Sequence, residues 1–99
     1  MDIDAIHKAL ANPVRRQILG WLKEPEQYFA EQVHQSLQVG VCAGLIDRRC
    51  GLSQSTVSAH LSTLLKAGLI TSHKVGQWNY FKRNEEVIQA FVDHMNSAL

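Results

Sequence analysis

The run Ser53-Gln54-Ser55-Thr56-Val57-Ser58-Ala59-His60 gathers hydroxyls, a carboxamide and an imidazole, and Ser62 and Thr63 follow with no acid before Lys66. Hydroxyls donate to phosphate oxygens and to base edges, and a carboxamide pairs with adenine through two hydrogen bonds. Few other residues promise chemistry. His7, His34, His73 and His94 show neither HExxH nor His-x₃₋₅-His spacing, so they read as ordinary surface or core histidines, and no metal-ligand set or cofactor motif emerges. Neither a Gly-x-Ser-x-Gly elbow, nor a P-loop, nor a paired-carboxylate pattern occurs. The one candidate nucleophile, Cys42, has no histidine beside it in sequence. The pattern points away from an enzyme. Cys42 keeps two readings, an inert core position or a sensor thiol acting as a thiolate ligand or redox switch.

The elements that must hold these groups follow from periodicity. From Asp2 to Ala11, Ile3, Ile6 and Leu10 make one helical stripe, with Asp2 and Asp4 at its positive end. Asn12-Pro13 restarts a helix as N-cap and first helical residue, carrying Val14, Ile18, Leu19, Trp21 and Leu22 until Pro25 ends it. Arg15 and Arg16 lie off that stripe, where they cover the domain surface or touch phosphates. Residues 26–41 have no clear period; Tyr28, Phe29, Val33 and Leu37 suit a short amphipathic turn or a packed loop. A short helix over about Val41 to Cys50 then buries Leu45 and Ile46.

Ser53 caps the next helix, which runs to Ala67 and stops at Gly68. Its wheel puts Val57, Leu61, Leu64 and Leu65 on one side and Ser55, Ala59, Ser62, Thr63 and Lys66 on the other. A solvated face usually shows Glu and Lys pairs; a face of small hydroxyl residues suits close approach to another surface. Leu69 to Val75 and Trp78 to Lys82 read as strands joined around Gly76-Gln77. Asn84 caps a last helix with the stripe Val87, Ile88, Phe91, Val92 and Met95.

The chain has 99 residues, 45% apolar and 19% charged, with a net charge of +1. That is an ordinary globular balance for one domain, residues 1–99, of the size that buries only about 60–65% of its unfolded surface. It excludes fibrous and disordered classes. No run approaches the roughly 18 apolar residues of a membrane span. The acidic start Met1-Asp2-Ile3-Asp4 is unlike a signal peptide, and with only two cysteines the expected setting is the reducing cytoplasm. Charge is unevenly placed. Residues 48–83 hold Arg48, Arg49, Lys66, Lys74, Lys82 and Arg83 and no acid, while acids outnumber bases on both flanks. Such a block is an electrostatic footprint for a polyanion, or else a solvated face.

A short helix, a tight turn, a helix with a small-polar face and a basic hairpin come in the order of a winged helix-turn-helix, mainly α with a small β-hairpin. The second helix would enter the major groove, about 12 Å wide, with the hairpin along the adjacent backbone or minor groove. Ser62 belongs to the groove-facing side, and Lys74 and Gln77, flanked by Lys82 and Arg83, form the hairpin's contact set.

Leu10-Ala11-Asn12-Pro13-Val14-Arg15-Arg16-Gln17-Ile18-Leu19, the run Gly51 to Leu61, and Leu65-Lys66-Ala67-Gly68-Leu69-Ile70 resemble the ArsR/SmtB family of bacterial winged-helix repressors, over about residues 3–95. The resemblance implies a homodimer through the first and last helices, a pseudo-palindromic double-stranded DNA operator, and repression relieved by an inducer. It places Ser53, Gln54, Ser55, Thr56, Ser58 and His60 at DNA-contact positions, His60 alternatively hydrogen-bonding within the domain. The terminal stripes, Ile3, Ile6 and Leu10 with Val87, Ile88, Phe91, Val92 and Met95, exceed what a chain this short can cover alone, in keeping with a dimer interface. The resemblance also gives Cys50 a core position, hence a buried thiol.

The sequence departs from the family in two places. About a dozen extra residues precede Gly51. Where the family's thiolate site has Cys-x-Cys, this chain has Cys42 and Gly44, and Asp93 and His94 stand adjacent where zinc-type members space such ligands across the last helix. No intact metal site is therefore expected, and no motif defines the inducer. A rival from another class is a winged-helix protein-interaction module that never binds DNA.

Overall fold

Four of the six helices begin at a side chain that accepts hydrogen bonds from the open N–H groups of the first turn, as helix starts require. In the computed structural model, which describes residues 1–99, the Asp2 carboxylate accepts from the Ala5 N–H (3.0 Å) and opens α1 (Ile3–Leu10). Asn12 accepts from Val14 and Arg15 (2.8 and 3.2 Å) and opens α2 (Pro13–Lys23), with Pro13 in its first turn. Pro25 ends α2 and starts one further turn, α3 (Pro25–Tyr28). Beyond a loop come β1 (Val41–Cys42), α4 (Ala43–Cys50) and α5 (Gln54–Lys66), the last capped by Ser53. The strands β2 (Ile70–Val75) and β3 (Trp78–Arg83) and the Asn84-capped α6 (Glu85–Ala98) complete the chain.

The hairpin keeps its expected place, Val75 opposite Trp78 across Gly76-Gln77, but the sheet has three antiparallel strands in the order β1-β3-β2. The expected helix from Val41 loses its first two residues to β1, which pairs Val41 with Phe81 and Cys42 with Tyr80. Gly40 makes this possible. Its φ of 143° favours glycine, and a Cβ there would lie 2.9 Å from the Phe81 backbone nitrogen. Val41 then buries its β-branched side chain, 1% exposed, where a helix start would have left it in solvent.

One core of fifteen buried residues joins Ile6 and Ala9 of α1, Ile18, Leu19 and Leu22 of α2, Ile46 of α4, Val57, Leu61 and Leu64 of α5, and Phe81 of β3. Leu45, expected beside Ile46, is half-buried at the core edge. Phe29, from the segment with no readable period, is 1% exposed and anchors that segment. The Arg49 guanidinium lies 4.9 to 5.8 Å from the rings of Tyr28, Trp21 and Phe29, so a base of α4 packs on α2 and α3.

Ile6 corrects the expected interface set. It is wholly buried in the chain's own core, because one stripe of an eight-residue helix must first hold that helix down. The rest of the α1 and α6 apolar set stays at least partly open. Ile3, Leu10, Val87, Ile88, Phe91 and Met95 are half-buried and Val92 is 44% exposed. His7 of α1 meets Phe91 of α6 edge-on at 5.4 Å, so both helices share one face. No helix is long and apolar enough to cross a membrane.

Candidate nucleic-acid interface

The turn between α4 and α5 is built from local signals. Gly51 takes a left-handed φ of 66°, and its N–H donates to the Asp47 and Arg48 carbonyls (3.1 and 3.3 Å), closing α4. Two residues later the Ser53 hydroxyl accepts from the Thr56 N–H (3.2 Å) and opens α5. At the other end the Gly68 N–H donates to Leu65 and the Leu69 N–H to Leu64 (2.9 and 3.0 Å), the paired bonds of a Schellman stop. The helix is thereby fixed at both ends.

Burial sorts its side chains into two faces. Val57, Leu61 and Leu64 are buried, with Leu65 half-buried beside them. Gln54, Ser55, Thr56, Ser58, Ala59 and Lys66 are exposed, and Ser62 and Thr63 are half-exposed. The hydroxyls differ in freedom. Ser53 lies 2.8 Å from the Thr56 hydroxyl and 3.3 Å from that of Ser55, so these three form the cap cluster. The Thr63 hydroxyl donates to the Ala59 carbonyl (3.1 Å). Gln54, Ser58 and Ser62 have side chains engaged by no other residue, and the helix carries no acid.

His60 makes a hydrogen bond within the domain. Arg15 Nη1 lies 3.3 Å from its Nδ1. A guanidinium only donates, so Nδ1 accepts and the ring proton of the neutral form sits on Nε2. The same guanidinium donates through Nε to the Ala9 carbonyl (2.7 Å) and through Nη2 to that of Lys8 (3.0 Å), and Arg16 donates to Leu10 (2.6 Å). Both arginines thus satisfy open carbonyls at the end of α1, where positive charge is favoured. Arg15 also ties α1 to the exposed helix. Sequence spacing gave no sign of this pair, 45 residues apart.

In the hairpin every residue from Thr71 to Asn79 is exposed, which leaves Lys74 and Gln77 free at the tip. Lys82 donates to the Gln38 carbonyl (3.4 Å). Arg83, expected to flank the tip as a contact, is instead held by both carboxylate oxygens of Glu85 (2.8 to 3.1 Å), its side chain 15% exposed. The first turn of α6 favours an acid, and that acid neutralises Arg83.

The cysteines are both free thiols. Cys50 is half-buried, less covered than expected. Burial first, and the Asp47 charge second, push its pKa above the usual thiol range. Cys42 directly precedes α4 instead of lying within it, and its N–H donates to the Gln32 side-chain oxygen (2.8 Å). Nowhere do three His, Cys, Asp or Glu side chains gather as a metal would need.

A compact helical body with a capped helix-turn-helix and an exposed hairpin defines a winged helix-turn-helix protein. Residues 10–73 match the family described as "Helix-turn-helix domain". The chain is 40% identical, over the full length of both, to the uncharacterized HTH-type transcriptional regulator YbzH of Bacillus subtilis. It is 30% identical to the transcriptional repressor SdpR of the same organism, over 91% of this chain and 84% of that one. The solution structure of the homodimeric winged helix-turn-helix DNA-binding domain of Mb0332 from Mycobacterium bovis, a possible ArsR-family regulator, superposes with a TM-score of 0.67 at 27% identity, covering 97% of this chain and 77% of that one. The chain belongs to the helix-turn-helix family of transcriptional regulators and is of the ArsR type.

Proposed function

We propose that two copies of this chain join through α1 and α6, set their α5 helices into successive major grooves of a pseudo-palindromic operator, and repress transcription from it in the cytoplasm until an inducer releases them. The observation that carries the reading is the acid-free outer face of α5, where Gln54 and Ser58 stand exposed with no partner inside the chain. Gln54 pairs with adenine through two hydrogen bonds, and Ser58 and Ser62 reach base edges or phosphates. Ser53, Ser55 and Thr56 present their cap cluster to the backbone. His60, with Nδ1 held by Arg15, offers its Nε2 proton to a phosphate. Lys74 and Gln77 follow the flanking backbone, with Lys66 at the far end of α5. Residues 1–99 act as one domain.

The dimer face is Ile3, Leu10, Val87, Ile88, Phe91, Val92 and Met95, in support of which stands the homodimeric state of the Mb0332 domain. Val92→Asp places a charge on an already exposed residue, so the fold should survive while sedimentation shows a monomer. For DNA, the test is a gel shift with genomic fragments at moderate salt. Discrete shifted species that dissolve steeply as salt rises are expected. Absence of any shifted species would sink the repressor reading and leave the protein-interaction module.

A further inference from the structure

The segment before α4 does more than connect two helices. It walls one side of a cleft of about 400 Å³, partly open to solvent, whose other walls are the start of α4 and Trp78 and Tyr80 of β3. That volume falls in the range of small-molecule sites. The segment is held over it at defined points. The Gln32 amide donates to the Gln35 and Gly40 carbonyls (3.0 and 2.9 Å) while its oxygen accepts from Cys42, and the His34 ring lies parallel to Trp78 with centroids 6.5 Å apart.

Three features of the walls define what fits. Arg48 and Glu31 both line the cavity, yet neither meets the other or any other ionic partner; the chain's one ion pair is Arg83 with Glu85. Both are exposed, so a guanidinium and a carboxylate on one cleft are each free to receive the opposite charge of a single molecule. Trp78, 54% exposed, and Tyr80 at the base supply an aromatic surface. Gly44 leaves its side unfilled, the nearest atom to an added Cβ being Cys42 Sγ at 3.9 Å.

We propose that this cavity binds a small zwitterion with an apolar side group, an amino acid or dipeptide, with its carboxylate at Arg48, its ammonium at Glu31 and its side group against Trp78 and Tyr80, and that this ligand is the inducer. The last step rests on the repressor reading; the site does not. Arg48 belongs to the acid-free basic block of residues 48–83, so a carboxylate held there neutralises one of that block's six positive charges, while the ammonium is neutralised by a residue outside the block. The ligand also bridges α4, which leads straight into α5, to β3 of the wing.

The test is calorimetric titration of the whole chain with L-phenylalanine, L-leucine and glycyl-phenylalanine, beside phenylpropionate and phenethylamine, which each carry one charge only. At least one zwitterion should bind saturably, one per chain, and the single-charge analogues of its aromatic form about three- to tenfold more weakly. Arg48→Gln should erase the advantage over phenethylamine, and Glu31→Gln that over phenylpropionate. Gly44→Leu should abolish binding with the melting temperature intact, since leucine suits a helix and the space is open. Bound ligand should slow maleimide labelling of Cys42 and leave Cys50 unaffected.

No saturable heat from any zwitterion to about 10 mM, equal binding of the single-charge analogues, or unchanged binding by Gly44→Leu each overturns the site. Gel shifts with and without the bound zwitterion then test induction. Lower operator affinity is expected, and unchanged affinity with the site filled overturns the inducer role. A chain that shifts no DNA at all counts against the repressor reading alone, because the calorimetry decides the site independently.

Discussion

The helix-turn-helix of residues 43–68 and the segment of residues 25–42 that precedes it differ in how far away their anchors lie. In the first, the end of α4 and both ends of α5 are fixed by residues within five positions: Gly51 on Asp47 and Arg48, Ser53 on Thr56, Gly68 and Leu69 on Leu65 and Leu64. In the second, local turns such as α3 and the Gln32 bond to Gln35 are tied into place by distant anchors. Phe29 is fixed by the core, Val41 by Phe81 forty residues on, Gln38 by Lys82, and the Tyr28 and Phe29 rings by Arg49. A locally specified element can present a fixed face to DNA, whereas a segment held by distant anchors depends on each of them.

The strongest way to break that contrast is Phe29→Ala. Phe29 is 1% exposed within the shared core, so its loss should cost about 3–5 kcal/mol, read by chemical denaturation. The α5 caps do not involve it. In whatever fraction stays folded, the Ser53 and Gly68 ends of α5 should keep their amide protection while the 29–42 amides lose theirs. Equal loss in both regions would show that the two are not separately specified.

A gentler cut is Gln32→Ala. One side chain makes three hydrogen bonds, to Gln35, Gly40 and Cys42, and its removal leaves the Cys42 N–H and the Gly40 carbonyl without that partner. A loss of about 1–3 kcal/mol is expected in denaturant unfolding, with faster hydrogen exchange at Cys42.

On the local side, the α5 face can be changed without touching stability. Gln54→Ala removes an exposed side chain with no internal partner. It should leave the melting temperature unchanged and cost about 1–3 kcal/mol of discrimination between the preferred operator base and its substitutes, measured by competition gel shift. Lys74→Ala at the wing tip should weaken all sequences alike and lower the salt slope by about 1. If Gln54→Ala weakened every sequence equally, its role would be positional and the base-reading assignment would fall.

The same contrast explains what could be read in the chain. Asn12, Ser53, Gly68 and Asn84 act within their own turns, so α2, α5 and α6 were legible, and so was the hairpin around Gly76-Gln77. The expected helix start at Val41 failed because strand β1 exists only through Phe81 and Tyr80, and no periodicity in residues 26–41 encodes a partner that far away. At the candidate site the outward face of α5 was legible from the wheel, while the Arg15 hydrogen bond to His60 was not, since it depends on how α1 and α2 lie against α5. Ile6 was misassigned for a related reason: a stripe shows that a residue is covered, but not by which neighbour. Arg83 is different. Glu85 stands two residues away at a helix start, and the pairing was open to a purely local reading.

The smallest effect lies at the junction of the two regions, on α4. Burial holds the Asp47 carboxyl above the usual carboxylate range, and its charge in turn adds to the burial that raises the Cys50 thiol. A carboxyl with a raised folded-state pKa favours the folded protein only while protonated. That contribution is complete below the ordinary aspartate value near 4 and is lost as pH rises through the folded-state value. At pH 7 the ionised Asp47 therefore works against the fold. Asp47→Asn should raise the melting temperature there slightly, with the gain vanishing below about pH 4. The backbone carbonyl that accepts from Gly51 is unaltered by the change, so the turn into α5 should hold. Cys50 should at the same time label faster with maleimide at pH 8, because the smaller, charge-based part of its upward shift is gone, yet remain slower than a free thiol because burial, the larger part, persists. A Cys50 labelling rate indifferent to Asp47→Asn would mean that the carboxylate does not sense the thiol.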